Sequence, residues 1–330
     1  MARHRRFILS GSVYEITFRT RRGLPFVTTN YTATILQGIL ARVQRDLKIK
    51  LCHFLFMGNH AHIIVVTKDA TQCSAFHGEV KKQITDAYKR LLDIDYLSFW
   101  SENGTSVVRI ADLDAAKERI AYLYANPVRA NLVDSIDHYP GINSFKSFTS
   151  CAQNLSVSHT SWHPWIRSPS IPKLPNRSVT TRQDKALNDA IRARATMSHE
   201  LILEPNAWMS AYGVGETEVS EINNSIVSTL RSYENVSRLL RAQNGWKLKG
   251  ATRLALEPVN LTYCPAKDSC KIFIHVSKAE ERKRLIAEYK YFCERCNYCY
   301  EQWKIGDYSV DWPPGAFQPP IPPRANWFEG

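Results

Sequence analysis

The sequence of 330 residues has few cysteines and no long apolar run. No segment reaches the roughly 18 apolar residues that a membrane-spanning helix requires, and the apolar stretch Phe7–Leu9 after the basic start is too short for a signal peptide. Without an export signal, the eight cysteines are expected to be reduced thiols or metal ligands. We therefore expect a cytoplasmic protein with no disulfide framework and no membrane partner.

Positive charge is what the sequence has in excess. It contains 43 Lys and Arg against 31 Asp and Glu, a formal net charge of +12. The excess is shared, at +7 for residues 1–150 and +5 for residues 151–330. This charge favours a polyanionic partner, most simply nucleic acid. The alternative is a basic protein without such a partner.

Apolar periodicity in residues 1–150 predicts strands and helices in the order βα-ββ-αβ-α. The strands are expected at 13–20, 51–57, 60–66 and 105–110, and the helices at 29–47, 75–92 and from Asp112 or Asp114 to about Ala125. Asn126-Pro127 is expected to end the last helix. The order is typical of an α+β fold with a ferredoxin-like antiparallel sheet and helices on one face.

The remaining chain differs in composition. Residues 151–178 are rich in Pro and Ser and are interpreted as a linker. Residues 179–330 are predicted to form a mostly helical C-terminal region, a candidate for accessory DNA binding. Its helices are expected at about 181–197, 216–243 and 279–304.

Two histidines open the third predicted strand. Because side chains alternate along a strand, His60 and His62 project to the same face, while Ala61 and Ile63 point into the core. Two imidazoles on one face can chelate a divalent metal. The alternative is a pair of structural histidines.

Tyr122 and Asn126 lie four residues apart on the last predicted helix and so share a face. The tyrosine could serve as a nucleophile, and the asparagine carbonyl as a third metal ligand. Tyr124 lies on a different face. With 15 tyrosines in the chain, a structural role for Tyr122 is the alternative.

These segments resemble a known family. Residues 57–65, Met-Gly-Asn-His-Ala-His-Ile-Ile-Val, resemble the HUH motif (histidine, hydrophobic residue, histidine) of single-tyrosine transposases of the insertion-sequence-200-like class. Residues 119–133 resemble the tyrosine helix of the REP-associated branch, with Asn131 where that branch has glycine. Residues 14–19 and 99–100 are also similar to it, and the likeness covers about residues 5–145. Three C-terminal segments are similar to an extension of longer members: 287–292, 303–307 and 313–320.

The resemblance implies a DNA transposase that cleaves and rejoins single-stranded, REP-like hairpin DNA through a 5′-phosphotyrosine. It implies that His60, His62 and Asn126 bind Mg²⁺ or Mn²⁺ and that Tyr122, rather than Tyr124, is the nucleophile. It also implies a bacterial monomer or homodimer, associated with the nucleoid when bound to DNA. Two alternatives stay open: a domesticated hairpin-DNA-binding protein without transposition activity, and an unrelated H-x-H metal protein with a basic surface.

DNA contacts are expected from basic and aromatic side chains near these motifs, by phosphate binding and base stacking. The candidates are Arg5, Arg6, Arg19, Arg21, Arg22, Lys81, Lys82, Trp100 and Arg129. For each of them the alternative is a solvated charge or a core aromatic.

A zinc site at Cys293, Cys296 and Cys299 is not expected. Three cysteines at this spacing on a predicted helix spread over more than a third of its circumference. Cys264 and Cys270 lie upstream of them. We interpret these residues as small buried thiols.

Overall fold

A computed structural model describes residues 6–21, 29–101, 104–151, 153–175, 179–258 and 274–321. The strands are β1 (Val13–Arg19), β2 (Lys50–Phe56), β3 (His60–Val66), β4 (Ser106–Ile110), β5 (His159–Trp165), β6 (Met197–Leu203) and β7 (Ile274–His275). The helices are α1 (Asn30–Leu47), α2 (Ala70–Leu92), α3 (Leu113–Arg129), α4 (Phe145–Ser150), α5 (Thr181–Arg194), α6 (Val219–Gln243), α7 (Ala251–Ala255) and α8 (Ala279–Lys304). Among the described helices, none is both long and apolar enough to cross a bilayer.

One sheet of seven strands organises the chain, in the order β5-β6-β2-β3-β1-β4-β7. The four central strands come from the first 110 residues and pair antiparallel. The C-terminal region adds strands at both edges, since β6 pairs parallel with β2 and β7 pairs parallel with β4. The predicted α+β class with an antiparallel sheet is confirmed.

Helices cover both faces of the sheet rather than the single face expected. On β1, alternation sends Tyr14, Ile16 and Phe18 to the face covered by α1 and α2. The other face is covered by α3 and α6. The reason lies in α3, whose own apolar side, including Ile120 and Leu123, is buried against this second face.

The segment expected as a linker, residues 151–178, contains strand β5, which pairs antiparallel with β6 along its whole length. Helix α1 packs closely on this strand, and a Cβ added at Gly38 would overlap the Pro164 carbonyl. The Arg42 guanidinium also lies 3.9 Å from the centroid of the Trp165 ring. This segment therefore contributes a strand to the sheet, whereas the division into domains stays a prediction.

Helix α3 continues through Pro127 to Arg129 instead of ending before the proline. A proline here removes only one backbone donor near the end of the helix. Ala130 caps the helix, and Asn131 after it has a left-handed φ of 55°. The Leu132 N–H donates to the Pro127 carbonyl at 2.9 Å and closes the helix end. Asparagine tolerates a left-handed backbone better than most residues other than glycine. Asn126 consequently stays helical and keeps the same face as Tyr122.

Candidate active site

The two histidines of β3 lie side by side on the face covered by α3, with ring centroids 5.0 Å apart. Ala61 and Ile63 between and beyond them are fully buried on the opposite face. The predicted shared face of His60 and His62 is therefore present in the structure.

In both histidines, Nδ1 lies within hydrogen-bond distance of an oxygen acceptor. His62 Nδ1 lies 2.8 Å from Glu15 Oε1, and His60 Nδ1 lies 2.7 Å from Asn59 Oδ1. Because a carboxylate and an amide oxygen only accept, each Nδ1 carries a proton, so Nε2 is the nitrogen of each ring that can bind a metal ion. Neither Nε2 hydrogen-bonds to a described residue. This is the tautomer and the outer partner arrangement of metal-ligating histidines.

The protonation state of His60 agrees with a ligand role. Burial lowers the pKa of His60 well below its usual value, and the nearby His62 and Arg19 lower it further. A neutral imidazole is the form that binds a metal ion.

Glu15 is a buried carboxylate that joins the sheet to α3. Arg119 donates to it twice, from Nε to Oε2 at 3.0 Å and from Nη2 to Oε1 at 2.8 Å. His275 Nε2 lies 3.0 Å from Oε2. Burial raises the pKa of Glu15, but the hydrogen bonds of His275 and His62 and the charge of Arg119 hold this pKa well below its usual value. Glu15 is therefore an anion surrounded by donors.

A stripe of four polar side chains runs along α3 at spacings of three, four and three residues. They are Arg119, Tyr122, Asn126 and Arg129. Two guanidinium groups pack on the Tyr122 ring, whose centroid lies 4.4 Å from Arg119 Cζ and 4.2 Å from Arg129 Cζ. The Asn126 Nδ2 is buried and has no hydrogen-bond partner among the described residues.

Helix α3 crosses over the strand that carries the histidines. Arg119 contacts Glu15 on β1, whereas the Tyr124 hydroxyl lies 2.9 Å from His53 Nδ1 on β2. Strand β3 lies between β1 and β2 in the sheet, so the helical segment that contains Tyr122 passes across β3. A continuous chain of contacts then runs from His62 through Glu15 and Arg119 to the Tyr122 ring.

Two solved structures are similar to part of this chain. One is a REP-associated tyrosine transposase bound to a REP hairpin, with 20% identity and a TM-score of 0.40, covering 46% of this chain and 86% of that chain. The other is a candidate transposase from Deinococcus radiodurans R1, with 15% identity and a TM-score of 0.27, covering 36% of this chain and 93% of that chain. No protein-family model and no curated protein match the sequence.

The donor atoms at the histidine pair fit a catalytic metal ion. Among the described residues, no three His, Cys, Asp or Glu side chains form a metal-binding group. An ion at His60 and His62 would therefore take further ligands from the Asn126 amide oxygen, water or a substrate phosphate. The Asn126 amide has a buried Nδ2 without a partner, so no hydrogen bond at that atom fixes its orientation. Mixed nitrogen and oxygen ligands with open positions suit such an ion.

Tyr124 is a core residue. Its hydroxyl also lies 2.8 Å from Ser144 Oγ, its ring stacks 6.0 Å from that of Phe148, and its side chain is fully buried. Burial raises the pKa of the Tyr124 hydroxyl. These contacts place the Tyr124 hydroxyl inside the core.

Two of the expected DNA contacts lie at the site. Arg19 is the cross-strand partner of His60 in the β1–β3 pair, and Arg129 packs on Tyr122. Arg5 and Arg22 lie outside the described residues.

The other expected contacts lie elsewhere and are engaged with the protein. Arg6 Nη1 is 3.0 Å from His77 Nε2, Arg21 Nη1 donates to Ser98 Oγ at 2.9 Å, and Lys81 Nζ donates to Thr105 Oγ1 at 3.2 Å. Lys82 is an exposed residue that pairs with Glu79. Trp100 packs on the core cluster of α1 and α2 and donates its indole N–H to Thr85 Oγ1 at 2.8 Å. A packing role accounts for Trp100, because its polar atom is satisfied.

Sequence reasoning missed Glu15, Arg119 and His275 as parts of the site. Glu15 carried one usable signal: a charged residue inside an apolar strand is almost never buried without a partner. Nothing in the sequence singles out Arg119 among other helix arginines or His275 in its short strand. Their roles depend on contacts across 104 and 260 positions of the chain.

The cysteines of α8 are partly in the core. Cys296 and Cys299 are buried and Cys293 is half-buried, and the Cys299 thiol lies 3.4 Å from the Asp311 carbonyl. Cys264 and Cys270 lie outside the described residues.

Proposed function

We propose that this protein is a DNA transposase that cleaves and rejoins single strands, with Tyr122 as nucleophile and Mg²⁺ or Mn²⁺ held by His60, His62 and Asn126. The observation that carries the proposal is the contact chain from His62 through Glu15 and Arg119 to the Tyr122 ring. This chain of contacts connects the histidine pair, which has the metal-binding tautomer, to Tyr122 on the helix that crosses β3.

The proposed chemistry is a transesterification. The Tyr122 oxygen attacks the scissile phosphorus, so that a tyrosine O–P bond forms and the P–O3′ bond breaks. The tyrosine proton passes to water, and the leaving 3′ oxygen takes up a proton. Because the 5′-phosphotyrosine retains a phosphoester bond, a second 3′-OH can reverse the step and join strands without ATP.

The protein's residues would position these groups. Arg119 and Arg129 both pack on the Tyr122 ring, which restricts the direction of the hydroxyl. Arg129 is exposed and can bind a phosphate of the incoming strand. When bound, the divalent ion would offset the negative charge that develops on the phosphate.

The proposed substrate is single-stranded DNA with a hairpin. The support is the net charge of +12 and the motif resemblance to the REP-associated branch. A tyrosine flanked by two arginines also fits a flexible strand, whose phosphate can be drawn into the site.

The test is cleavage of a labelled single-stranded hairpin DNA with Mn²⁺. We expect a covalent protein–DNA adduct that is lost in Tyr122→Phe and in His60→Ala. The matched controls are Tyr96→Phe, at a tyrosine that is 82% exposed, and His138→Ala, at an exposed histidine; both should form adduct at the wild-type rate. An adduct that survives Tyr122→Phe would refute the assignment. Hairpin binding with no adduct from the wild type would instead identify a binding protein.

A further inference from the structure

A residue of the C-terminal region reaches the candidate site. His275 lies on β7, which pairs with the edge strand β4 in the register Ile110 to His275, and the Ala111 N–H donates to the His275 carbonyl at 2.8 Å. The His275 side chain is 11% exposed, and its Nε2 lies 3.0 Å from Glu15 Oε2. The imidazole therefore faces inward, toward the carboxylate under the site.

A second contact fixes the same segment to α3. Asp112 caps the helix by accepting from the Ala115 N–H with Oδ1 at 2.8 Å. Its other oxygen, Oδ2, accepts from the Ser277 N–H at 2.7 Å. Residues 274–277 thus contact both Glu15 and the start of the helix that carries Tyr122.

The donors of Glu15 are divided between its two oxygens. Oε1 accepts from His62 and from Arg119 Nη2, while Oε2 accepts from Arg119 Nε and from His275. The rotation of this carboxylate therefore sets the orientation of His62 and of Arg119 together. His275 is the donor that comes from outside residues 1–150.

We propose that His275 is a positioning residue of the active site, through which the C-terminal region completes it by fixing the Glu15 carboxylate. The inference rests on the proposed function, because it gives His62 a metal-binding role. Without the His275 N–H, Oε2 loses a donor in a buried environment and the carboxylate gains rotational freedom. The imidazole of His62 and the guanidinium under Tyr122 then lose their fixed orientation.

The test uses the full chain with His275→Leu and His275→Gln. Mn²⁺ affinity is measured without DNA, from the electron paramagnetic resonance signal of the free ion, and adduct formation is measured at saturating Mn²⁺. Loss of a residue that hydrogen-bonds to a metal-binding histidine typically weakens metal affinity by about 10-fold or more. His275 is one contact further from the ion, so His275→Leu should weaken Mn²⁺ binding by about 3- to 10-fold. His275→Gln retains an N–H for Glu15 and should stay within about twofold of the wild type. His138→Leu is the control.

The His275 variants can overturn the positioning role in several ways. Wild-type Mn²⁺ affinity and adduct rate in His275→Leu would overturn it, as would equal losses in the Leu and Gln variants, which would indicate a packing role. If His275→Leu does not fold, His275→Asn replaces it, because its shorter amide does not reach Glu15 and should fall below His275→Gln. Adduct formation by a wild type that binds no Mn²⁺ would also overturn it.

The proposed function can fail separately. If the wild type binds Mn²⁺ but forms no adduct, strand cleavage is refuted, and weaker Mn²⁺ binding by His275→Leu would still support the positioning role. If the wild type forms the Tyr122 adduct and His275→Leu matches it in both measurements, only the role of His275 is refuted.

Discussion

Arg119 connects two parts of the candidate site, since it donates to Glu15 with two nitrogens and packs on the Tyr122 ring. Lysine retains the charge but has no planar fork to make both bonds and stack at once. We expect Arg119→Lys to lower the rate of adduct formation by about 10- to 100-fold through misplacement of Tyr122, with hairpin affinity nearly unchanged. Rates and gel-shift affinities measured beside Arg182→Lys, at an exposed arginine of α5, check this. A wild-type rate in Arg119→Lys would contradict the positioning role.

His53 couples the stability of the fold to pH. Burial lowers the pKa of His53 to about 3, and the nearby Pro205 backbone only partly opposes this. In the unfolded chain the group titrates near 6.5, so below that pH the unfolded state binds a proton that the folded state does not. The contribution of His53 to the free energy of unfolding is therefore fully present above about pH 6.5 and is lost as the pH drops toward 3. At pH 5 the loss from this residue is about 2 kcal/mol.

Urea unfolding at pH 7 and pH 5 measures that effect. His53→Gln should lose about 2 kcal/mol less than the wild type between the two pH values, whatever its stability at pH 7. His138→Gln, at an exposed histidine, should follow the wild type. The same pH dependence in His53→Gln and wild type would refute this account of His53.

At the scale of elements, the contact between α1 and β5 shows that residues 159–165 belong to the sheet. A Cβ at Gly38 would overlap the Pro164 carbonyl, whereas a Cβ at Gly78 on α2 would meet nothing within 4 Å. Gly38→Ala should therefore destabilise the fold by about 1–3 kcal/mol, while Gly78→Ala should stabilise it by up to about 1 kcal/mol through helix propensity. Urea unfolding of both variants measures the difference. Equal effects at the two positions would contradict the packing of α1 on β5.

The elements that the sequence predicted well are those with a strong local pattern. Strand β3 and helix α8 have the predicted bounds, 60–66 and 279–304. A Gly-Asn turn precedes the strand, and no proline or glycine interrupts the helix. Strand β5 escaped prediction because Pro164 and the polar residues around it resemble a loop. Its place in the sheet depends on pairing with β6, more than 30 residues further along. Such long-range pairing has no local signal.

In the candidate site, too, the local relations could be predicted from the sequence and the long-range contacts could not. Spacing alone placed His60 beside His62, and Tyr122 on one face with Asn126, because these relations are set by the periods of strand and helix. The Glu15 carboxylate and its donors could not be predicted, since they come from three elements that only the tertiary fold brings together. The helices on both faces escaped prediction for the same reason, because the order of elements does not fix which face α3 covers.

At the scale of the whole molecule, the C-terminal region is built into the same sheet as the histidines. Strands β6 and β7 extend the sheet on opposite sides, and α6 packs beside α3 in one core cluster. Helix α3 crosses β3 of its own chain, so we expect Tyr122 to act with the histidines of the same protomer. A mixture of His60→Ala and Tyr122→Phe proteins should then form no adduct. Recovery of activity in the mixture would show that the tyrosine acts across a dimer.

In the proposed reaction, Tyr122 becomes covalently joined to DNA at the histidine site. The most direct measurement is peptide mapping by mass spectrometry of the adduct trapped from a single-stranded hairpin with Mn²⁺. We expect a nucleotide 5′-phosphate on the peptide that contains Tyr122, with the fragment ions placing it on that residue and not on Tyr124. A nucleotide attached at any other residue, or DNA cleaved with no attached nucleotide, would contradict it.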